Sequence, residues 1–348
     1  MASRLPSGLI ATRARRALAL VAIVTSGAIL TGCMALGHML VLPAAAAAAG
    51  YLPQPEPVER ANAPGTRAVA RALEGSPRVA LVLGSGSLRG YAHVGVLAAL
   101  EEAGVRPSLI VGSSAGSIVG ALWASGVTAS DIGHASQELD WSLLAPSGIP
   151  HRGLVGGEGL EDFMRRHQGG RELETLPVPF AAVATDVMTG ETVVLDEGDT
   201  AIAVRASSSI PVVFEPVRAR GRLLADGSLS APTPVRVARR LGADIVIAVN
   251  VAWSPEEGSL RTPLDMLFQS MQIMAHNLNR AQLVEADVVI APEISNIGNV
   301  SPESRAALIA TGTAAGRTAI PSIRSAIQAW TARAQVAAQQ DRGSQRRE

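Results

Sequence analysis

The chain has 348 residues, 30 basic and 30 acidic, for a formal net charge of zero, with 47% apolar and 3% aromatic residues. Every basic residue is an arginine, and Cys33 is the only cysteine. A chain without lysine has no Walker A phosphate loop, no Schiff-base lysine and no Ser–Lys dyad. One cysteine excludes an intramolecular disulfide and a multi-cysteine zinc site, and the charge balance argues against bulk binding of nucleic acid.

Residues 1–32 read as a processing signal. Arg4, Arg13, Arg15 and Arg16 form a basic start with no acidic residue, followed by the apolar stretch Ala17 to Leu30. Leu30-Thr31-Gly32-Cys33 resembles the bacterial lipoprotein pattern, which implies cleavage before Cys33 and lipidation of its thiol. Met34, rather than aspartate, follows, which resembles cargo of the outer membrane facing the periplasm. The alternative is an uncleaved anchor over Ala17 to Leu42; either tethers the protein to a membrane. Residues 33–76, with an alanine run and Pro53, Pro55, Pro57 and Pro64, read as a linker.

From there, short apolar runs alternate with helical spacing. Strands are expected at Arg78 to Leu83, Leu109 to Val111, Phe180 to Thr185, Glu191 to Leu195, Asp244 to Asn250 and Asp287 to Ala291. Helices are expected at Gly90 to Ala103, Ala115 to Ser125, Val235 to Leu241 and Leu264 to about Gln282, the last read as packing rather than covering a site. Residues 296–333 form a helical extension, and the polar end, 334–348, is read as a disordered tail. The alternation predicts a mostly parallel sheet covered on both faces, with its ligand site beyond the carboxyl ends of the strands.

Two glycine turns fall on that edge. Gly84 to Gly90 (GSGSLRG) opens a helix, and its free amides suit a phosphate or an oxyanion. Arg89 occupies the third glycine position of a dinucleotide fingerprint, which weakens that reading. Gly112-Ser113-Ser114-Ala115-Gly116 matches G-x-S-x-G between a strand and a helix, which makes Ser114 the candidate nucleophile. Ser113 and Ser117 become candidates only in another register.

A serine needs a base. Of six histidines, His276 follows the other candidates in the chain order of a Ser-Asp-His triad but sits among Met271, Met274 and Leu278; His93 lies inside the first helix, where packing is the expected role. The other candidate is Asp226, brought to a turn by Leu223-Leu224-Ala225 beside Gly227, with Asp186 and Asp196 as rivals of the same kind.

Together, Gly84 to Leu97 (GSGSLRGYAHVGVL), Gly112 to Gly116 and Asp226-Gly227 resemble the patatin-like phospholipase family in order and spacing. Phe180 to Asp186 (FAAVATD), Arg205 to Pro211 (RASSSIP) and Leu241 to Val249 resemble blocks of its small bacterial members, so that the hydrolase domain is expected over residues 77–295. The resemblance implies a three-layer α/β/α fold and a Ser114–Asp226 dyad without histidine. It also implies an oxyanion hole from the amides of Gly86, Ser87 and Leu88, with Arg89, Gly112, Gly116 and Gly227 supporting. Arg89 would brace the turn or meet an anionic head group. Ser85 and Ser87 depart from the family's run of glycines, and Ser228 stands where the family often has glycine or alanine, as a residue that is also small. The implied activity is hydrolysis of lipid acyl esters through an acyl-enzyme, with no metal and no other cofactor. A His276 triad esterase or thioesterase, and a lipid-binding envelope lipoprotein without turnover, are the alternatives.

Overall fold

A computed structural model of the chain describes residues 76–138, 156–255, 260–294 and 301–345. The expected leader, Cys33 and the linker up to residue 75 lie outside the described residues. Among those described, no helix is long and apolar enough to cross a membrane.

Strand β1 (Val79–Leu83) is buried along its whole length. Its side chains divide by the period of two: Val79, Leu81 and Leu83 enter one core, Ala80 and Val82 the other. Parallel to it runs β2 (Leu109–Ser113), and parallel to that β3 (Phe180–Asp186). Strand β4 (Thr192–Leu195) folds back antiparallel on β3. A hairpin of β5 (Val217–Ala219) and β6 (Arg222–Asp226) sets β6 antiparallel to β3 as well. On the other side of β1, β7 (Ile245–Val249) and β8 (Val288–Ile290) extend the parallel set. Strands apolar on both faces require cover on both, and the helices supply it.

One core is shared by α1 (Tyr91–Glu102), α2 (Ala115–Ala124), α3 (Ala129–Ala135), α4 (Glu158–Gln168) and α5 (Thr200–Ser207). The other is covered by α6 (Val235–Arg240) and the end of α7 (Pro263–Leu283). Helix α8 (Pro302–Gln345) returns to the first core through Leu308, Ile320 and Ile323. It lies against α1 at glycines: a side chain on Gly95 or Gly312 would overlap the backbone of the other helix. The result is the expected three-layer α/β/α fold.

Some elements differ from the expectation. The helix predicted from Gly90 begins as a 3-10 turn, Ser87–Gly90, before α1. Helix α8 continues past Arg333 to Gln345, because the alanine, glutamine and arginine that read as a solvated tail are also good helix formers. Helices α3, α4 and α5 and the β5–β6 hairpin were not anticipated; β5 is three residues long and β6 alternates too briefly to show a period.

Candidate active site

The registers around β3 bring two strand ends together. Ser113, the last residue of β2, pairs with Val183, and the next residue of β3, Ala184, pairs with Asp226, the last residue of β6. Val183 and Ala184 both use their other edge for β4. Strands β2 and β6 therefore lie on the same edge of β3 and meet end to end. The residue that follows β2 is Ser114, so the pairing alone sets it against Asp226.

Ser114 has φ 53° and ψ −124°, outside the regions that L residues favour. This strained bend between β2 and α2 turns the hydroxyl out of the sheet, where it donates to Asp226 Oδ2 at 2.7 Å. The bend is tied down on both sides. Its N–H is held by Ser207 Oγ at 3.0 Å, which in turn donates to the Val183 carbonyl at 2.6 Å. Its carbonyl accepts from the Ser117 N–H at 2.8 Å and from Ser117 Oγ at 2.7 Å. Ser117 is thus a brace for the turn, and Ser113 is fully buried within β2. A side chain at Gly116 would overlap the Leu83 carbonyl, and one at Gly112 or Gly227 would also meet backbone.

Asp226 is 1% exposed and Ser114 5%. Burial pushes the Asp226 carboxyl above the ordinary carboxylate range, opposed by the hydrogen bonds from Ser114 and Ser228. The second oxygen, Oδ1, accepts the Ser228 N–H at 2.8 Å. The backbone is anchored too: the Asp226 N–H donates to the Ser209 carbonyl at 2.9 Å, and Thr185 Oγ1 donates to the Asp226 carbonyl at 2.9 Å. The serine run of RASSSIP, noted in the sequence only as a block, therefore holds both partners.

The first glycine turn sits beside this pair. The amides of Gly84, Ser85 and Arg89 bond to the carbonyls of Val249, Pro232 and Gly86. Between them, Gly86, Ser87 and Leu88 stand at the start of the 3-10 turn, where amides lack an internal partner. Ser87 takes φ 51°, the left-handed region that a glycine would occupy at lower cost. Arg89 is 2% exposed and lies 3.7 Å over the Trp253 ring, with Nη1 donating to the Ala252 carbonyl at 3.3 Å. Burial lowers its pKa to about 10. Arg89 is thus packed on Trp253 and does not line either cavity that borders Ser114.

Most of the rival groups are engaged elsewhere. Asp186 pairs with Arg222 at 3.1 Å and Asp196 with Arg220 at 3.7 Å. His93 is fully buried, with Nε2 2.8 Å from the Gly84 carbonyl and a pKa pushed down to about 4 by burial, so it packs behind the turn. His167 meets Glu138 at 3.1 Å. His276 lines the cavity that Asp226 also lines. Among the described residues there is no group of three His, Cys, Asp or Glu able to hold a metal ion.

That cavity, about 570 Å³, corrects the reading of α7 as mere packing. Phe268, Met271, Gln272, Ala275 and His276, at helical spacing, form its wall opposite Ser114, Asp226 and the first glycine turn. Leu264, Leu267, Met274 and Leu278 remain exposed on the same helix.

Residues 81–239 match the family described as Patatin-like phospholipase. An uncharacterized NTE family protein of Mycobacterium tuberculosis, Rv1063c, is 42% identical over 190 residues, covering 53% of this chain and 52% of that protein. A second from the same organism, Rv2565, is 30% identical over 287 residues, covering 75% of this chain and 49% of its own length. Patatin-like phospholipase domain-containing protein 6 of Mus musculus is 36% identical over 209 residues, which is 57% of this chain and 15% of that protein. The chain thus spans about half the length of the mycobacterial relatives it matches.

If Ser207 holds the strained bend, its loss must show in the reactivity of Ser114. Ser207→Ala should slow labelling of Ser114 by a fluorophosphonate probe about tenfold, the equivalent of one hydrogen bond of ~1.4 kcal/mol. Labelling at the wild-type rate, in a variant with unchanged circular dichroism, would remove Ser207 from this role.

Proposed function

This chain carries a domain of the patatin-like phospholipase family over residues 81–239, and from that premise we propose that it is a serine acyl-hydrolase acting on lipid esters. The observation that supports this most is the 2.7 Å hydrogen bond from Ser114 Oγ to Asp226 at the floor of an open cavity. Ser114 attacks the acyl carbonyl as Asp226 accepts its proton, and the tetrahedral oxyanion is stabilised by the amides of Gly86, Ser87 and Leu88. The carbon–oxygen bond to the alcohol breaks, and the proton held by Asp226 passes to the departing oxygen. In the second half, water gives its proton to Asp226 and attacks the acyl-enzyme. The fatty acid leaves, and the proton returns to Ser114 Oγ. A raised Asp226 pKa fits a group that must both take and release this proton.

The dyad is favoured over a triad because the Ser114 proton is directed at Asp226, and no hydrogen bond joins Ser114 to His276 among the described contacts. Ser114→Ala and Asp226→Asn should each abolish turnover of a p-nitrophenyl ester, and Ser114→Ala should abolish fluorophosphonate labelling. His276→Ala should keep most of the activity; its loss would restore the triad. Absence of labelling in the wild type would favour a lipid-binding protein without turnover.

The titration has a definite sign. Asp226 must be ionised to act as a base, so kcat/KM should rise with pH through its folded pKa, at a pH above the ordinary aspartate range. For stability, the folded state holds this proton more tightly than the unfolded one. The carboxyl therefore costs stability as pH rises from the unfolded value through the folded one, and the cost persists above it. Asp226→Asn should consequently melt no lower than wild type at neutral pH; a marked drop would show the carboxylate to be a net stabiliser.

We also propose that Cys33 is the lipid attachment point and that the enzyme works at the bacterial envelope, on the periplasmic face of the outer membrane. From Cys33 onward the chain holds 26 basic and 30 acidic residues, which weakens attraction to anionic lipid as a tether. In a bacterial host, Cys33→Ala should end incorporation of labelled palmitate and move the protein out of the membrane fraction. Unchanged partition would leave the Ala17–Leu42 anchor as the explanation.

A further inference from the structure

Two cavities meet at Ser114. One is wide, about 570 Å³, and the other narrow, about 90 Å³. Ser87, Leu88, Ser114 and Ile210 border both, but Asp226 borders only the wide one. Acyl transfer gives this asymmetry a meaning. Asp226 must hand its proton to the departing alcohol oxygen and later receive one from the attacking water. Alcohol and water therefore occupy the side of the carbonyl carbon that Asp226 faces. The acyl substituent of that carbon then has to run the other way.

The walls fit this direction. The narrow cavity is lined further by the apolar Val94, Ile118, Val119, Leu160 and Phe214, and by Ser136 and Ser208, whose hydroxyls are engaged by the Gly133 carbonyl at 2.7 Å and Ser117 Oγ at 3.4 Å. It has no charged lining residue, and the Tyr91 hydroxyl is spent on the Ser136 carbonyl at 3.2 Å. Such a slot rewards an unbranched alkyl chain, which gains from apolar burial and asks for no hydrogen bond. The wide cavity carries Gln272 and His276 on α7 among apolar neighbours, and no arginine lines it among the described residues.

Resting on the hydrolase reading above, we infer that the narrow cavity is the acyl-chain site and the wide one the site of the leaving alcohol. Ile118 and Phe214 then set the acyl chain length, while α7 sets which alcohol fits. The ligand class of the narrow site is a single linear fatty-acyl chain.

The test varies one end of the ester at a time. With p-nitrophenyl esters from butyrate to hexadecanoate, Ile118→Trp should lower the dodecanoate-to-butyrate ratio of kcat/KM by at least about tenfold, since one methylene in a tight apolar pocket already reaches that scale. Phe214→Ala should move the optimum to longer chains, which keeps the test open if the tryptophan variant does not fold. Met271→Trp, in the wide cavity, should leave the acyl-length ratio in place and instead discriminate between alcohols at constant acyl group. A second readout is independent of turnover: dodecanoate binding to Ser114→Ala, by calorimetry, should be lost on adding Ile118→Trp and kept on adding Met271→Trp. A wild type that hydrolyses nothing while dodecanoate binding follows this pattern sinks the hydrolase reading and keeps the site. If Met271→Trp shortens the accepted chain, or neither Ile118→Trp nor Phe214→Ala moves ratio or binding, the assignment is overturned.

Discussion

Ser114 and Asp226 lie 2.7 Å apart because two strands approach head-on along one edge of β3. Putting a carboxylate at 1% exposure is costly, and an unpaired one would neutralise itself by a pKa shift of its own. Here the cost is reduced rather than removed. One oxygen takes the Ser114 hydroxyl and the other the Ser228 N–H. Among the described residues, no arginine is hydrogen-bonded to Asp226. A carboxylate that is buried and hydrogen-bonded, with no cation paired to it among the described residues, is left with a raised pKa, which suits the proposed proton transfer from Ser114 at 2.7 Å.

At Ser114 the cost is of another kind, backbone strain. Its φ of 53° is tolerable only because the surroundings over-determine it. Ser207 holds the amide and Ser117 the carbonyl, and the neighbouring positions are too close to other backbone to accept a side chain. The same α5 segment continues into Ser209, whose carbonyl holds the Asp226 amide. One short serine-rich stretch thus holds both Ser114 and Asp226, and a shift of that stretch would move them together.

Around this rigid pair the cavities are built from elements of unlike character. The narrow one is lined from α1, α2 and α4, largely by side chains that belong to the larger core, so its walls are packed. The wide one is closed by α7, which keeps apolar side chains exposed on its outer flank. On the proposed assignment, selectivity for the acyl chain would rest on the packed core and selectivity for the alcohol on a helix with few buried side chains.

The residues themselves were enough to place most of the parallel sheet, the two glycine turns and Ser114, because these depend on local rules: β-branched runs, turn chemistry, and a small-residue motif between a strand and a helix. Asp226 was legible as a candidate but not separable from Asp186 and Asp196 without the family resemblance, since all three are turn aspartates after apolar runs. Only the register of the short antiparallel β6 distinguishes them, and a five-residue strand has too little pattern to reveal its partner. The same limit hid Ser207, a buried serine with no motif of its own, and the role of α7, whose periodicity reports an apolar face but not what that face meets. What the chain determined by itself was local conformation. Which charged group stands against the serine, and which walls surround it, were decided by contacts between segments about a hundred residues apart, because pairing free energy is shared across the sheet and is written in no single segment.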